Sequence, residues 1–295
     1  HSWKTYPVRV SATAETIRST LAQVAVNGAQ WQAATEVADQ QSKLLAGKNV
    51  ALEYKTEKTA TPIEFLGYKY TRSPSEISGA LMTRYDESQP EVWHIPLYKD
   101  ITPSISVVAP QAGYIVPPAF ADFVEARLKT HGITSMRISK PLNNIELEQF
   151  KTATAAFSPA SFESHQTLKV TGQWQKQRVS VLSNSLFIPI AQAKANLVMA
   201  LLEPQAPDSY LSWGFFNNEF ERKEYMEDYV AEEVAVEMLK DPAIKAAFEQ
   251  RIQSDKAFAA SPQQRLEFFA RLHPSWDDRY QVYPVLRSEI NLSDF

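Results

Sequence analysis

The spacing of apolar residues changes twice along the chain, from helical to strand-like and back to helical. Near the start, apolar residues recur at helical spacing after Pro7, which predicts a helix that begins at the proline and buries one face. The apolar residues of this predicted helix are Val10, Ile17, Leu21 and Val24. A second helix is predicted over residues 31–45, ending before Gly47, because glycine commonly follows a helix.

From residue 49 to residue 190 the pattern favours strands. Short β-branched and aromatic segments are separated by Pro, Ser and Asp. The predicted strands cover residues 49–55, 62–71, 91–98, 104–109, 113–117, 133–138, 167–174, 178–182 and 186–190. Two of these strands carry proline and lead into a helix, at residues 113–131 and 186–203. Such units indicate helices packed on a sheet within a mostly antiparallel region.

After residue 207 helical spacing returns. Asp208 is expected to cap a helix over residues 209–216. Asp241 and Ser261 each precede a proline, which is the combination of N-cap residue and N1 proline that opens many helices. The C-terminal segment is therefore predicted to be helical.

Residues 200–239 join an aromatic block to an acidic one. Over residues 217–239 eight acids face only Arg222 and Lys223, a local balance of −6. This pattern predicts an amphipathic helix with a solvated acidic face, packed through its aromatic residues.

These patterns together predict an α+β fold. It has a helical N-terminal segment, a β-rich and mostly antiparallel middle with two strand–proline–helix units, and a helical C-terminal segment. The predicted regions are 1–46, 47–199 and 200–295, and no low-complexity linker separates them.

Composition narrows the classes of function. The 295 residues are 44% hydrophobic and 22% charged, which is typical of a soluble globular protein. A net charge of −4 and the lack of a basic patch argue against nucleic acid as a partner. No apolar run approaches the roughly 20 residues of a membrane span. The lack of cysteine excludes disulfides and thiolate chemistry.

Sequence motifs assign no catalytic and no metal-ligating residue. None of the five histidines begins a His-x-x-Glu motif or pairs with another at i, i+4, as a zinc site usually requires. Gly-x-Ser-x-Gly and Ser-x-x-Lys are also missing. Acids and histidines that converge only in space would still permit a cryptic hydrolase.

Two groups of residues are candidates for binding. Trp213, Phe215 and Phe216 are ring systems that could stack on a sugar or an apolar side chain, or else form core. Arg72 and Arg84 flank a polar turn within residues 71–86 and could clamp a carboxylate, such as that of a peptide substrate. The alternative is that these arginines pair with the nearby Glu76 and Asp86.

Several long phrases carry a resemblance to a known family. They are HSWKTYPVRV at the start, IEFLGYKYTRSPSEISGALMTRYD, GYIVPP, and residues 200–239. In this order they resemble the C-terminal half of bacterial zinc carboxypeptidases related to carboxypeptidase A. Residues 1–46 would then be the end of a peptidase-like domain, and the remainder an appended accessory region.

The resemblance implies a parent zinc enzyme that removes C-terminal residues from peptides in the periplasm or outside the cell. The family's zinc ligands and its catalytic glutamate have no counterpart in this sequence, so no cofactor is expected in this chain. The chain is expected to be inactive alone. Its first predicted role is to support the peptidase domain of the same parent chain or its substrate cleft.

Two alternatives stay open beside that role. One is an independent module that binds a peptide or a glycan, and the other is the cryptic hydrolase. If the first helix lacks its partner domain, self-association through Ile17, Leu21 and Val24 is expected. The start at His1, without Met, is interpreted as the edge of a processed product or of a piece of a longer protein.

Overall fold

The computed structural model describes residues 4–222, 225–293 and 295, and it shows an α+β fold. The helices are α1 (Tyr6–Ser42), α2 (Pro118–Thr130), α3 (Ala195–Leu202), α4 (Asp228–Met238), α5 (Pro242–Ser254), α6 (Lys256–Ala260) and α7 (Pro262–Ala270). The strands are β1 (Asn49–Thr56), β2 (Thr61–Pro74), β3 (Leu81–Leu97), β4 (Ile101–Val108), β5 (Gly113–Val116), β6 (Met136–Arg137), β7 (Leu142–Phe157), β8 (Leu168–Val181), β9 (Leu186–Pro189) and β10 (Val282–Ser288). Every strand pair among the described residues is antiparallel, so the predicted fold class is confirmed.

The N-terminal helix differs from its prediction in two respects. It is one helix of 37 residues, where the sequence predicts two, because Gly28 is accommodated in its interior. Glycine weakens a helix by about 1 kcal/mol but does not have to end it. The predicted buried face is also wrong, since Ile17, Leu21 and Val24 are 55%, 64% and 45% exposed.

Two antiparallel ribbons follow α1. Strands β1 and β4 form one, and the hairpin of β2 and β3 forms the other. In the hairpin the Trp93 ring lies directly over Gly67, where a Cβ would come within 2.4 Å of the ring. The hairpin closes through a hydrogen bond from the Gly79 amide to the Ser75 carbonyl, 2.8 Å long, with Gly79 at φ +70°. The polar turn predicted over residues 71–86 is therefore mostly strand, with a short tip.

The third sheet has six strands in the order β6-β9-β5-β10-β7-β8. Strands β7 and β10 are not predicted by the sequence, and β10 lies in the part of the chain predicted to be helical. β10 pairs with β5 on one side and β7 on the other. The final residues thus complete the sheet of the middle region.

The main core covers one face of this sheet. Helices α2 and α3 and the turns after α3 pack on it, with Tyr114, Phe150 and Tyr283 fully buried beneath them. A smaller core on the other face includes Ile115 and Phe187. The two predicted strand–proline–helix units supply much of this packing, as β5 followed by α2 and β9 followed by α3.

Predictions for the C-terminal residues are partly confirmed. The Asp241 carboxylate accepts hydrogen bonds from the amides of Ala243 and Ile244. Ser261 accepts one from the Gln264 amide. Both are the expected N-caps.

Two other helix predictions are wrong. Residues 209–216 form turns instead of a helix capped by Asp208. The helix predicted over residues 217–239 begins only at Asp228, as α4, after a single 3₁₀ turn at Asn217–Glu219. Lys223 and Glu224 of that prediction lie outside the described residues.

The molecule divides into an arm, residues 4–108, and a body, residues 109–295. Every buried hydrophobic residue among those described belongs to the body. The C-terminal end of α1 is tied to the body by a 2.9 Å hydrogen bond from Asn196 Nδ2 to Ser42 Oγ. At its other end Lys4 forms an ion pair with Glu87 of the hairpin. Between these ties the helix is almost entirely exposed.

Candidate functional site

The exposed side of α1 is the most extensive candidate surface. Val10, Ile17, Val24 and Trp31 follow one another at intervals of seven residues, with Leu21 between the second and third. All five are 45–64% exposed. A seven-residue repeat of this kind places the side chains along one stripe, as in helices that pack lengthwise against another helix.

Two of the three predicted ring residues meet at the surface of the body. Trp213 and Phe215 are half-buried, and each lies beside His165, with ring centroids 5.8 and 5.0 Å apart. Phe162 is 59% exposed and lies 6.1 Å from Trp213. The Arg127 guanidinium covers Phe215 at 4.7 Å. These side chains form a mixed aromatic patch, the Trp213 patch, open to solvent on the Phe162 side.

Phe216 does not belong to that patch. It is fully buried, with its ring centroid 4.9 Å from Phe120 and 5.4 Å from Tyr283. The prediction that it contacts a ligand is contradicted, because its neighbours in the core occupy the surface that a ligand would need.

The two predicted arginines do not converge. In the hairpin Arg72 is opposite Thr83, and Arg84 is opposite Thr71. Since neighbouring residues of a strand point to opposite faces, the register places the two guanidinium groups on opposite faces of the ribbon. Arg72 lies over the Tyr70 ring at 5.4 Å. Among the described residues neither arginine forms an ion pair with Glu76 or Asp86.

A polar network that the sequence does not predict is buried in the body. Glu203, 1% exposed, follows the last turn of α3 and accepts hydrogen bonds from Tyr114 Oη and from Trp174 Nε1 at 3.2 Å. The Arg287 Nε donates to the same carboxylate at 2.9 Å. Arg287 Nη2 lies 2.6 Å from Glu203 Oε1 but forms no well-angled hydrogen bond, so the pair is held mainly through Nε.

The neighbours of this network explain its electrostatics. The Arg287 guanidinium stacks on Trp174 at 4.3 Å and approaches Glu148 to 3.9 Å. Burial raises the pKa of Glu148, and Arg287 opposes that shift. Burial raises the pKa of Tyr114 well above its ordinary value, and the Glu203 carboxylate adds to that shift. The network therefore joins the end of α3 to β5, β8 and β10, which is a structural role.

Among the described residues the histidines form no metal-binding cluster with acids. No group of three or more His, Cys, Asp or Glu residues capable of holding a metal occurs within 4–222, 225–293 and 295. His273 Nδ1 contacts Ser275 Oγ at 2.7 Å and accepts from the Ser275 amide at 3.2 Å. No described hydrogen bond or ion pair joins a histidine to a carboxylate, although His273, Glu227 and Asp277 line one cavity, so the cryptic hydrolase stays a hypothesis. In the same part of the chain, no helix combines the length and the apolar content that crossing a bilayer requires.

Comparisons of the chain with protein-family models, with curated proteins and with solved structures find no match. The function must therefore be argued from the geometry itself.

Several residues of these sites could not be predicted from the sequence, because no local pattern marks them. Phe162 and His165 lie in a loop with no periodic pattern, where they form an isolated bridge with each other. Glu203 and Arg287 are charged, and charged residues are rarely buried unless they are paired. Nothing local marks them as partners, because 84 residues separate them along the chain.

Proposed function

We propose that this chain is a non-catalytic region that binds a partner domain through the exposed stripe of α1. The observation that carries the proposal is the exposure of Val10, Ile17, Leu21, Val24 and Trp31 on a helix of 37 residues. At about 1.5 Å per residue such a helix is about 55 Å long.

Helix stability supports a partner for this surface. Most of the stability of a helix in a protein comes from packing of its apolar face, and isolated helices are marginal in water. Here no element of the described chain covers the apolar face between the contacts at Ser42 and Lys4. An exposed apolar stripe of this length is characteristic of an interaction surface.

The resemblance described above suggests which partner. We infer that α1 packs against the peptidase domain of a zinc-carboxypeptidase-like parent, and that the body and ribbons support this domain or its substrate cleft. Zinc would belong to that domain, and the parent would act in the periplasm or outside the cell. This assignment depends on the resemblance, whereas the need for a partner depends on the exposed stripe.

A matched pair of valine substitutions tests the surface. Val24 lies on the stripe, and Val26, which is 81% exposed, lies on the opposite side of the same helix turn. Val24→Lys is expected to weaken binding of the peptidase domain at least tenfold, at about 1.4 kcal/mol per factor of ten. Val26→Lys is expected to leave binding within about twofold, since it stays in water. Binding would be measured by calorimetry with a separately expressed peptidase domain of the proposed parent family.

Several results would contradict the proposal. Equal effects of the two substitutions would show that the stripe is not the interface. An upstream reading frame without His-x-x-Glu would remove the peptidase domain as the partner. Stoichiometric zinc together with carboxypeptidase turnover in this chain alone would contradict a non-catalytic role. A dimer of this chain that Val24→Lys dissolves would instead assign the stripe to self-association.

A second candidate function is favoured by the Trp213 patch. Its partly open rings fit stacking on a sugar or contact with a peptide side chain. Trp213→Ala should then abolish binding of oligosaccharides or peptides detected by NMR. A Phe216→Leu substitution in the core should leave this binding unchanged. If no ligand of either class shifts the patch resonances, this candidate is excluded.

A further inference from the structure

A cavity of about 330 Å³ lies in the body, away from both the arm and the Trp213 patch. It is open to solvent on one side and is lined by Arg222, by residues 225–230 before and within α4, and by residues 270–280 at and after the end of α7. We propose that this cavity binds a small organic cation, with a quaternary or alkylated ammonium group as the recognised element. The volume is within the range of sites that enclose small molecules.

Aromatic rings form the walls of this cavity. Trp276 and Tyr280 are 5.8 Å apart between ring centroids and nearly perpendicular, with an interplanar angle of 79°. Tyr225, which is mostly exposed, contributes a third ring at the rim. Three aromatic side chains thus line one cavity, and an aromatic ring attracts a cation without requiring a hydrogen-bond donor from it. Alkylated ammonium groups are recognised in this manner.

One face of Trp276 already holds a cation. The Arg271 guanidinium lies 4.9 Å from the Trp276 ring centroid. Glu267 holds it there through hydrogen bonds of 2.9 and 2.6 Å from Nε and Nη2. Arg271 does not line the cavity, so the aromatic walls are not closed by this side chain.

The described charges of the lining favour a cation over an anion. Glu227 and Asp277 contribute two carboxylates against one guanidinium, from Arg222, which leaves a balance of −1 with His273 neutral. The His273 Nδ1 accepts a 3.2 Å hydrogen bond from the Ser275 amide. Asp277 Oδ1 accepts a 2.9 Å hydrogen bond from the Arg279 amide, which fixes the carboxylate beside Trp276.

The proposal is tested with choline chloride and its uncharged isostere 3,3-dimethyl-1-butanol. Both have the same shape, and only choline carries the charge. Calorimetry and Trp NMR shifts on the whole chain should give millimolar or tighter binding of choline. The isostere should bind at least about tenfold more weakly. Equal binding of the two, binding of neither, or preference for an anion such as acetate would overturn the proposal.

Substitutions of lining residues test whether choline binds in this cavity. Tyr280→Leu and Trp276→Leu should each weaken choline about tenfold or more, whereas Trp213→Leu, in the other patch, should leave it unchanged. The double substitution Glu227→Gln with Asp277→Asn keeps the rings, so it should weaken choline but not the isostere. The double charge variant still tests the proposal if a ring variant fails to fold. Thermal unfolding would show whether each variant folds. Unchanged choline affinity in the charge variant and in the folded ring variants would overturn the assignment.

Discussion

The arm and the body of this protein have similar kinds of sequence but differ in how far their hydrophobic side chains are buried. Both contain apolar helices and β-branched, aromatic strands, yet the buried hydrophobic residues among those described all lie between Ala109 and Leu292. Most of the exposed large hydrophobic residues lie in the arm, from Tyr6 to Val108. The body closes a six-stranded sheet between two layers of side chains, whereas the arm has only two-stranded ribbons and one helix.

The difference shows that apolar content does not by itself produce a core. A two-stranded ribbon is marginal in water, and three or more strands with a covered face are needed for independent stability. In the arm Trp93 packs with Phe65, Tyr70 and Tyr85 within the β2–β3 hairpin, which is local packing. The β1–β4 ribbon packs Val50 and Val107, both only partly buried, against the core of the body. The arm therefore exposes surface that a partner can bury.

The largest effect is expected where the body buries charge. Arg287→Ala leaves Glu203 buried without its counter-charge, and we expect a loss of about 3–5 kcal/mol in the free energy of unfolding. Urea denaturation would measure it. Because Glu203→Leu removes the unpaired buried charge, Arg287→Met with Glu203→Leu should be more stable than Arg287→Ala. The double variant still leaves the Tyr114 hydroxyl and the Trp174 indole N–H without their acceptor. If Arg287→Ala is as stable as the unsubstituted chain, the ion pair with Glu203 does not contribute to stability as proposed.

A matched pair of leucines tests the comparison directly. Leu186 is fully buried in β9, and Leu21 is 64% exposed on α1. Leu186→Ala should lower the free energy of unfolding by about 2–5 kcal/mol through a cavity in the core. Leu21→Ala should change it by less than about 0.5 kcal/mol. Comparable losses at the two positions would show that the arm is packed as tightly as the body.

High pH should destabilise the body through its buried tyrosines. Burial raises the pKa of Tyr283 well above its ordinary value, with further repulsion from Glu203. The neutral phenol therefore favours folding, and this contribution is full below pH 10 and is lost as pH rises through the folded pKa. Once the unfolded phenol ionises, stability should fall by about 1.4 kcal/mol per pH unit for each such tyrosine.

Thermal unfolding between pH 9 and 11 would measure that slope, with Tyr283→Phe as the test variant. Above pH 10 the stability of Tyr283→Phe should fall less steeply with pH than that of the unsubstituted chain, by the contribution of one tyrosine. An unchanged slope would mean that Tyr283 ionises equally in the folded and unfolded states.

The smallest expected effect is the difference in stability between removing one or the other of two buried tyrosine hydroxyl groups in the body. Tyr283 Oη donates a 2.8 Å hydrogen bond to the Leu202 carbonyl, while Tyr210 Oη has no partner among the described residues. At neutral pH, Tyr283→Phe should cost about 1 kcal/mol, because it leaves the carbonyl unpaired. Tyr210→Phe should be neutral or slightly stabilising. Chemical denaturation of the two variants side by side would show the difference, and a reversed order would refute it.

Features with a local physical cause were predictable. The caps at Asp241 and Ser261 depend on a side chain and the amides two or three residues later, so the sequence alone carries the signal. Helix α2 and its stop at Gly132, which adopts φ +68°, follow from the same kind of local rule.

Features that depend on distant pairing were not predictable. Strand β10 contains Pro284, and proline argues against a central strand. The structure accommodates it at an irregularity in the pairing between Val282 and Leu286, beside β7. Strand β7 itself contains two Asn, two Glu, one Lys and three Ala, which have low strand propensity, and it forms because β8 and β10 flank it.

The candidate sites were likewise predictable from the sequence only in part. The aromatic cluster at residues 213–216 was visible in the sequence, but its turns rotate Phe216 inward and leave Trp213 near the surface. A helix there would have given a different set of exposed rings. The cavity beside Trp276 and Tyr280 brings two separate segments together, so spacing along the chain could not reveal it.

The sequence by itself determined the α+β class, the antiparallel character of the middle, the helix caps at Asp241 and Ser261 and the two strand–proline–helix units, because each depends on neighbouring residues or on a short period. Only the tertiary structure decided which apolar residues are buried, which charges are paired and which strands complete the sheet. Burial and pairing depend on residues far apart in the chain, such as Glu203 and Arg287. The stripe on α1 is the clearest case, since its pattern specifies an apolar face and only the fold shows that this chain leaves that face exposed.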